Sequence, residues 1–163
     1  MAEIPAFHNG LTVDSSPHVK APDTTAEIMK TVSVALLPCL FAAVFYFGAY
    51  ALIVVAISVL SAVLAETAFQ IVRRRPVSVS DGSAVVTGLI LGLNLPPSVP
   101  LYIPVIGSVF AIVLVKMLFG GLGRNFANPA ATARIFLMLA YTEVMTRFIA
   151  PNGQFQNFWQ GFD

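Results

Sequence analysis

A chain of 163 residues that is 57% apolar and only 10% charged, with a mean hydropathy of +0.82, is too apolar for a water-soluble domain and reads as one integral membrane domain. A net charge of +1 excludes the strongly one-signed surface that would point to nucleic acid or to an acidic partner. The single Cys39 excludes an internal disulfide, fits no metal-ligand spacing and, lying within an apolar run, reads as a core thiol.

Residues 1–26 are polar and Pro-containing and lack the basic, apolar, small-residue order of a cleaved signal peptide. They read as a cytoplasmic arm, either free in solvent or laid along the membrane face or a partner subunit. His18 in that arm reads as a solvated or backbone-bonded side chain rather than a ligand or proton carrier. The membrane helical domain, 27–150, follows. Its first apolar run begins after Lys30 and extends to about Phe47, the length needed to cross a hydrocarbon core of about 30 Å. Pro38 is placed to kink it. Gly48, Ala49 and Tyr50 are expected to turn the chain, the run from Ala51 to Val72 returns it, and Arg73, Arg74 and Arg75 stop it. Lys20, Lys30 and the three arginines then share one end of a hairpin, which the positive-inside rule makes cytoplasmic.

Glu66 lies about two turns before those arginines. A buried acid in a membrane helix is costly unless it is paired or wet. Two readings stand: a place in a quinone, ion or proton path, or pairing near the interface with Arg73 or Arg74.

The stretch RPVSVSDGSAVVTGLILGLNLPPSVP offers Asp81 or Ser80 as a helix N-cap, and its apolar part from Ser83 to Leu95 is short, Gly-containing and closed by Pro96, Pro97 and Pro100. It either crosses as a thin, tilted helix or dips in and returns. Thr87, Gly88, Gly92 and Asn94 are its close-packing or pore-facing positions, and tight packing is the simpler account of the two glycines. A third long run spans Leu101 to Phe119, with Lys116 near enough to its end to snorkel to the interface.

Between that run and the next lies FGGLGRNFANPAATAR, residues 119–134. Backbone freed from helical pairing at membrane depth must be satisfied by protein or by a bound group, so a polar break there marks a cavity or a ligand. Gly120, Gly121 and Gly123 let backbone approach a flat ligand, Asn125 and Asn128 each offer a donor and an acceptor, and Pro129 suits the first turn of a helix. The stretch reads as a ligand cradle opening a helix, capped by Asn128 or Asn125 and running to about Phe148. Arg134, six residues into that helix and three and seven before Leu137 and Tyr141, needs an anion, carbonyls or water; Glu66 would satisfy it.

Placing Arg73 to Arg75 and Arg124 on one side, and the PPSVP loop on the other, favours a full crossing by the short helix. The result is an all-α, polytopic membrane bundle of about five segments, one of them short or broken, with the N-terminus in the cytoplasm. Residues 151–163, PNGQFQNFWQGFD, then lie at the outer face, where Phe155, Phe158, Trp159 and Phe162 suit an interfacial aromatic belt. The odd number of spans and the end at Gly161-Phe162-Asp163 lead to the expectation that the chain is incomplete, and no internal repeat is visible.

The segments SPHVK, Ala65-Glu66, VTGLILGLNLPPSVPLY and above all KMLFGGLGRNFANPAATARIFL resemble the N-terminal half of the RnfD/NqrB family. These are the membrane flavin subunits of the Rnf complex and of the sodium-pumping NADH:quinone oxidoreductase. The likeness covers most of residues 16 to 151 in order, and the Rnf subunit looks the closer. It implies electron transfer through flavin in a bacterial or archaeal-type cell (inner) membrane, among other membrane and peripheral subunits. Riboflavin is held non-covalently in the family, and Asn125 and Asn128 match the asparagines implicated in holding it. A second flavin, FMN, is joined in the family through phosphate to a threonine in a motif with no counterpart in this sequence. The chain as given is therefore expected to lack covalent FMN. The quinone-reductase branch has an acid near its quinone site in the helix matching that of Glu66, which favours the functional reading of that residue. The Rnf branch passes electrons between ferredoxin and NAD and need not use quinone.

The flavin carries the electrons in such a protein, and the polypeptide sets its position and potential. Coupling to Na⁺ or H⁺ movement requires that flavin charge alter a nearby ion path. Two rival classes remain: a small-solute channel or transporter whose hinge lines a pore, and an assembly fragment without a cofactor of its own.

Overall fold

The computed structural model describes residues 24–74 and 79–148, and every regular element within them is helical. The expectations for His18, for Arg75 and for the tail from Pro151 to Asp163 fall outside the described residues.

Helix α1, Thr25–Phe47, opens on a capping box. The Thr24 hydroxyl accepts from the Glu27 amide at 3.3 Å, and the Glu27 carboxylate accepts from the Thr24 amide at 2.7 Å. The helix continues through Pro38 and stops at Gly48, whose φ of +82° disfavours any side chain. That residue alone makes the turn. Ala49 and Tyr50, expected to share it, already belong to α2, Ala49–Val72. No residue of α1 is buried, so Cys39 is exposed and is not the core thiol expected from its apolar neighbours. The reason is position: α1 lies at the edge of the bundle and turns Leu37, Phe41 and Phe45 outward. Acyl chains are as apolar as those side chains, so a bilayer tolerates a surface that water would not. Among the described residues, α1 and α2 are the two helices long and apolar enough to span a membrane.

Helix α2 is the axis of the bundle. Its inward stripe, Ala51, Val54, Val55, Ser58, Ala62, Glu66 and Gln70, recurs every three or four residues. Against it lies α3, Ser83–Asn94, at backbone distance: a Cβ on Gly88 would sit 2.6 Å from Val59 Cα, and one on Gly92 would sit 2.8 Å from Val55 Cα. The pairing of 88 with 59 and 92 with 55 makes the two helices antiparallel. A 3₁₀ turn, Val79–Asp81, precedes α3, and Gly82, rather than Asp81 or Ser80, takes the N-cap position at φ +73°. Asp81 still supplies the capping oxygen, accepting from the Ser83 amide at 2.9 Å. Since Ser83 lies beside Glu66 while Leu95 packs with Val54, α3 runs the bundle from end to end and does not double back.

Helix α4, Tyr102–Val109, continues into a π-helical segment, Phe110–Met117, and together they form the rod expected from Leu101 to Phe119. It runs parallel to α2. The Tyr50 hydroxyl donates to the Val99 carbonyl at 2.8 Å at one end, the Ser58 and Ser108 hydroxyls meet at 3.1 Å midway, and Glu66 meets Lys116 at the other end. Helix α5, Pro129–Ala140, returns antiparallel to α4, with Phe136 stacked on Phe110 at 4.1 Å and Leu137 closed over Gly107. The helix expected to reach Phe148 breaks at Tyr141, φ −130° and ψ 47°, and one further turn follows as α6, Thr142–Met145. That break lets Met145 fold back onto Val99, Leu137 and their neighbours in the core.

Candidate functional site

Two centres share one end of the bundle and are joined through the π-helical segment. The first is the glycine hinge. The segment's wide turns continue into it: the Leu118 amide donates to the Val113 carbonyl at 3.1 Å, and the Gly121 amide to the Lys116 carbonyl at 3.0 Å, each five residues back. Gly120, Gly121 and Gly123 then take φ of +109°, +97° and +81°, conformations that only glycine adopts cheaply, and so reverse the chain toward α5. Beside the Cβ positions of Gly121 and Gly123 there is open space, and beside that of Gly120 there is only the Arg124 side chain. Phe119 and Phe126 meet edge to face at 4.9 Å across the loop.

Of the two candidate caps, Asn128 is the one used. Its Oδ1 accepts from the Ala130 and Ala131 amides at 3.0 and 3.3 Å, and Pro129 takes the first helical position. Asn125 donates from Nδ2 to the Ala127 carbonyl at 2.8 Å, which tightens the loop. Half of each carboxamide is thus committed locally. The other halves, Asn125 Oδ1 and Asn128 Nδ2, make no hydrogen bond to the described residues and leave one acceptor and one donor on an open loop.

The second centre is a buried polar cluster one step along the chain. Glu66 on α2 and Lys116 on the π-helical segment are 1% and 2% exposed and form an ion pair, Nζ lying 2.9 and 2.8 Å from Oε1 and Oε2. The third Nζ hydrogen goes to Ser83 Oγ at 2.6 Å, and Ser83 donates its own to Asp81 Oδ1 at 2.6 Å. Gln70 Nε2 donates to Glu66 Oε1 at 3.3 Å. All three ammonium donors are therefore used, the condition under which a buried pair survives at all. Lys116 does not snorkel, as its place near the end of an apolar run suggested; the π-helical register turns it into the bundle. Nor does Glu66 pair with Arg73 or Arg74. Arg73 lies over the Phe69 ring at 5.8 Å, and Arg74 is exposed.

Arg134 is remote from Glu66. It donates to Asn94 Oδ1 at 2.6 Å, at the end of α3 opposite the Ser83–Lys116 contact, while Asn94 Nδ2 donates to the Ile90 carbonyl. The structure thus gathers Gly120, Gly121, Gly123, Asn125, Asn128 and Pro129 in one loop, sets Glu66 next door and leaves Arg134 on the far side. Lys116, expected at the interface, is the residue whose partner sequence reasoning missed. The signal available was that a buried acid demands a cation, and Lys116 stands at a similar depth on the parallel rod.

The sequence profile of the NQR2, RnfD, RnfE family matches residues 12–162. The chain belongs to that family. Among its relatives is a component of the Na(+)-translocating ferredoxin:NAD(+) oxidoreductase complex of Acetobacterium woodii, 52% identical over 136 residues that cover 83% of this chain and 43% of that one. A component of the proton-translocating ferredoxin:NAD(+) oxidoreductase complex of Clostridium ljungdahlii is 42% identical over 146 residues, covering 90% of this chain and 44% of that one. A component of an ion-translocating oxidoreductase complex of Shewanella amazonensis matches at 42% over 142 residues, covering 86% and 41%. This family member spans less than half the length of the curated relatives it matches.

Proposed function

We propose that this chain is the membrane flavin-binding part of an Rnf-type, ion-translocating electron-transport complex, with riboflavin held non-covalently at the glycine hinge. The observation that carries the reading is the pair of open carboxamide halves, Asn125 Oδ1 and Asn128 Nδ2, on a loop where the space beside Gly121 and Gly123 is open. An isoalloxazine edge presents acceptors and donors to such groups, so the residues present fit it. Membership of the family and the names of the relatives support the complex, its ferredoxin and NAD⁺ partners and its coupling to ion movement.

Bound riboflavin would supply one- or two-electron transfer. The chain's own residues would do the rest. Gly120, Gly121 and Gly123 admit the ring, Asn125 and Asn128 fix its edge, and Pro129 with the cap of α5 holds those asparagines rigid. Glu66 belongs in this proposal to an ion or quinone path beside the hinge, and Arg134 to the same path at the far end. The protein would lie in the cell (inner) membrane as a multi-pass bundle, N-terminus in the cytoplasm, among the complex's other membrane and peripheral subunits.

Purified with its complex, the protein should carry a flavin absorbance that is released intact on denaturation. The double change Asn125→Ala, Asn128→Ala should remove it and stop electron transfer while the complex still assembles. A colourless protein that conducts a small solute in vesicles would replace this reading with a channel. Unchanged activity in the double variant would leave only an assembly role.

A further inference from the structure

Lys116 does two things at once. Its ammonium occupies the point on which three oxygens converge, Glu66 Oε1 and Oε2 and Ser83 Oγ, at 2.9, 2.8 and 2.6 Å. Gln70 steadies the carboxylate, and Asp81, by taking the Ser83 hydrogen, turns a lone pair of that hydroxyl toward the ammonium. Without the lysine head, what remains is a buried carboxylate and a hydroxyl facing one position, a hard-oxygen environment suited to a singly charged metal cation. A +1 ion there restores the charge that Lys116 supplies, so exchanging one for the other leaves the interior balance unchanged.

Its backbone, meanwhile, belongs to the hinge. The Lys116 carbonyl accepts from the Gly121 amide, and the Met117 carbonyl from the Gly120 amide at 3.2 Å. Phe110–Met117 is a full π-helical segment, a form rare in isolation and always one register step from the α-helix. Taking out that step rotates every later side chain by about 100° around the axis, the angle of one α-helical residue. Gly120, Gly121 and Gly123 absorb the displaced residue because each tolerates both signs of φ. Any force on the hinge therefore acts on the register of Lys116, and through it on the pairing of Glu66.

We propose that Lys116 is a tethered cation that holds the Glu66–Ser83 oxygen site against a mobile alkali-metal cation, and that the glycine hinge controls its release by changing the register of the π-helical segment. This rests on the ion-translocating reading of the chain, and it makes Lys116 a positioning residue that links the two centres. The hinge and the oxygen site then bias one two-state element, which is the physical requirement for coupling between them.

The test uses the intact complex in lipid nanodiscs, with melting temperature followed against NaCl, KCl and choline chloride. Lys116→Met vacates the position and leaves the carboxylate, so its melting temperature should rise with NaCl or KCl in a saturable way that choline chloride does not reproduce. The double variant Glu66→Gln, Lys116→Met should lose that response, and Lys116→Arg should restore wild-type behaviour. In vesicles, Lys116→Met should move about tenfold fewer ions for each electron transferred, a factor within the usual range of coupling energies. A Lys116→Met complex that assembles and shows no alkali-ion response overturns the proposal. If it does not assemble, Ser83→Ala decides: the ion pair stays, one oxygen goes, and the alkali-ion concentration for half-maximal turnover should rise about fivefold, an unchanged value overturning the idea. Flavin absorbance of the same samples reports separately on the hinge, so a colourless complex with an alkali-ion response sinks the flavin reading alone.

Discussion

At the scale of single residues, Asn128 divides one carboxamide between two tasks, and that division can be tested. Oδ1 caps α5 through the Ala130 and Ala131 amides, whereas Nδ2 is the open donor proposed for the flavin edge. Asn128→Asp keeps an oxygen at the cap, where a carboxylate is as good as an amide and gains from the helix dipole, but it removes the donor. Asn128→Ala removes both, at a cost to α5 of about 1 kcal/mol. The expected result is that Asn128→Asp melts within about 0.5 kcal/mol of wild type and yet loses flavin absorbance, whereas Asn128→Ala loses both stability and flavin. If the aspartate variant keeps its flavin, Nδ2 is not the contact. Lys116 shows the opposite case, a residue whose role is settled by its surroundings. A lysine near the end of an apolar run can send its head to water or to an acid, and nothing in the run LVKMLFGG marks the π-helical register that decides for the acid.

At the scale of elements, the close contact of α2 with α3 depends on two missing side chains. In an exposed helix interior Gly→Ala stabilises by about 1 kcal/mol. At Gly88 the added methyl would lie 2.6 Å from Val59 Cα and 3.0 Å from the Ser58 carbonyl oxygen, both backbone atoms that no rotamer change can move. Overpacking of that kind costs about 1–3 kcal/mol and outweighs the propensity gain. Gly88→Ala should therefore lower the melting temperature of the complex, and Gly107→Ala, whose methyl would meet the flexible Leu137 side chain at 2.7 Å, should lower it less. Equal losses would show that α3 can drift from α2. The same elements show what the sequence could convey. The apolar runs announced both ends of α2 within two residues and the end of α1, because a span needs about twenty apolar residues. The start of α1 differs: it lies at Thr25, six residues before the run that follows Lys30, where the capping box opens the helix. The Gly88–Gly92 pair announced tight packing. The end of α5 was illegible: Tyr141 breaks the helix so that Met145 can reach Val99 and Leu137, a long-range demand with no local sign. Cys39 misled for a related reason, since an apolar residue in a membrane helix faces lipid as readily as core. At the hinge, glycine and asparagine types were legible, but the sharing of each carboxamide between loop and open edge was not.

At the scale of the molecule, the alternation of the rods fixes which loops share a side. Because α2 and the α4 rod run parallel, and α3 and α5 run against them, the Arg73–Arg74 end of α2, the start of α3 and the glycine hinge all lie at one end. Leu95 to Leu101 and α6 lie at the other, where Ser98 donates to the Arg147 carbonyl and Glu143 pairs with Arg147. Arg73, Arg74 and Arg124 lie at the first end, and the proposed topology, by the positive-inside rule, sets that end in the cytoplasm. In a Cys39→Ser background, cysteines at Leu122 and Glu143, both exposed, should then react with a membrane-impermeant maleimide from opposite sides of the membrane. In right-side-out vesicles Glu143→Cys should label and Leu122→Cys should not, and inverted vesicles should reverse the pattern. Labelling of both from one face would mean that the bundle does not span the bilayer as an alternating set. The proposed topology, which puts the flavin hinge and the alkali-ion site at one and the same end of a spanning bundle, would then fall, while the link from the hinge to Lys116 through the π-helical register would stand or fall by its own test.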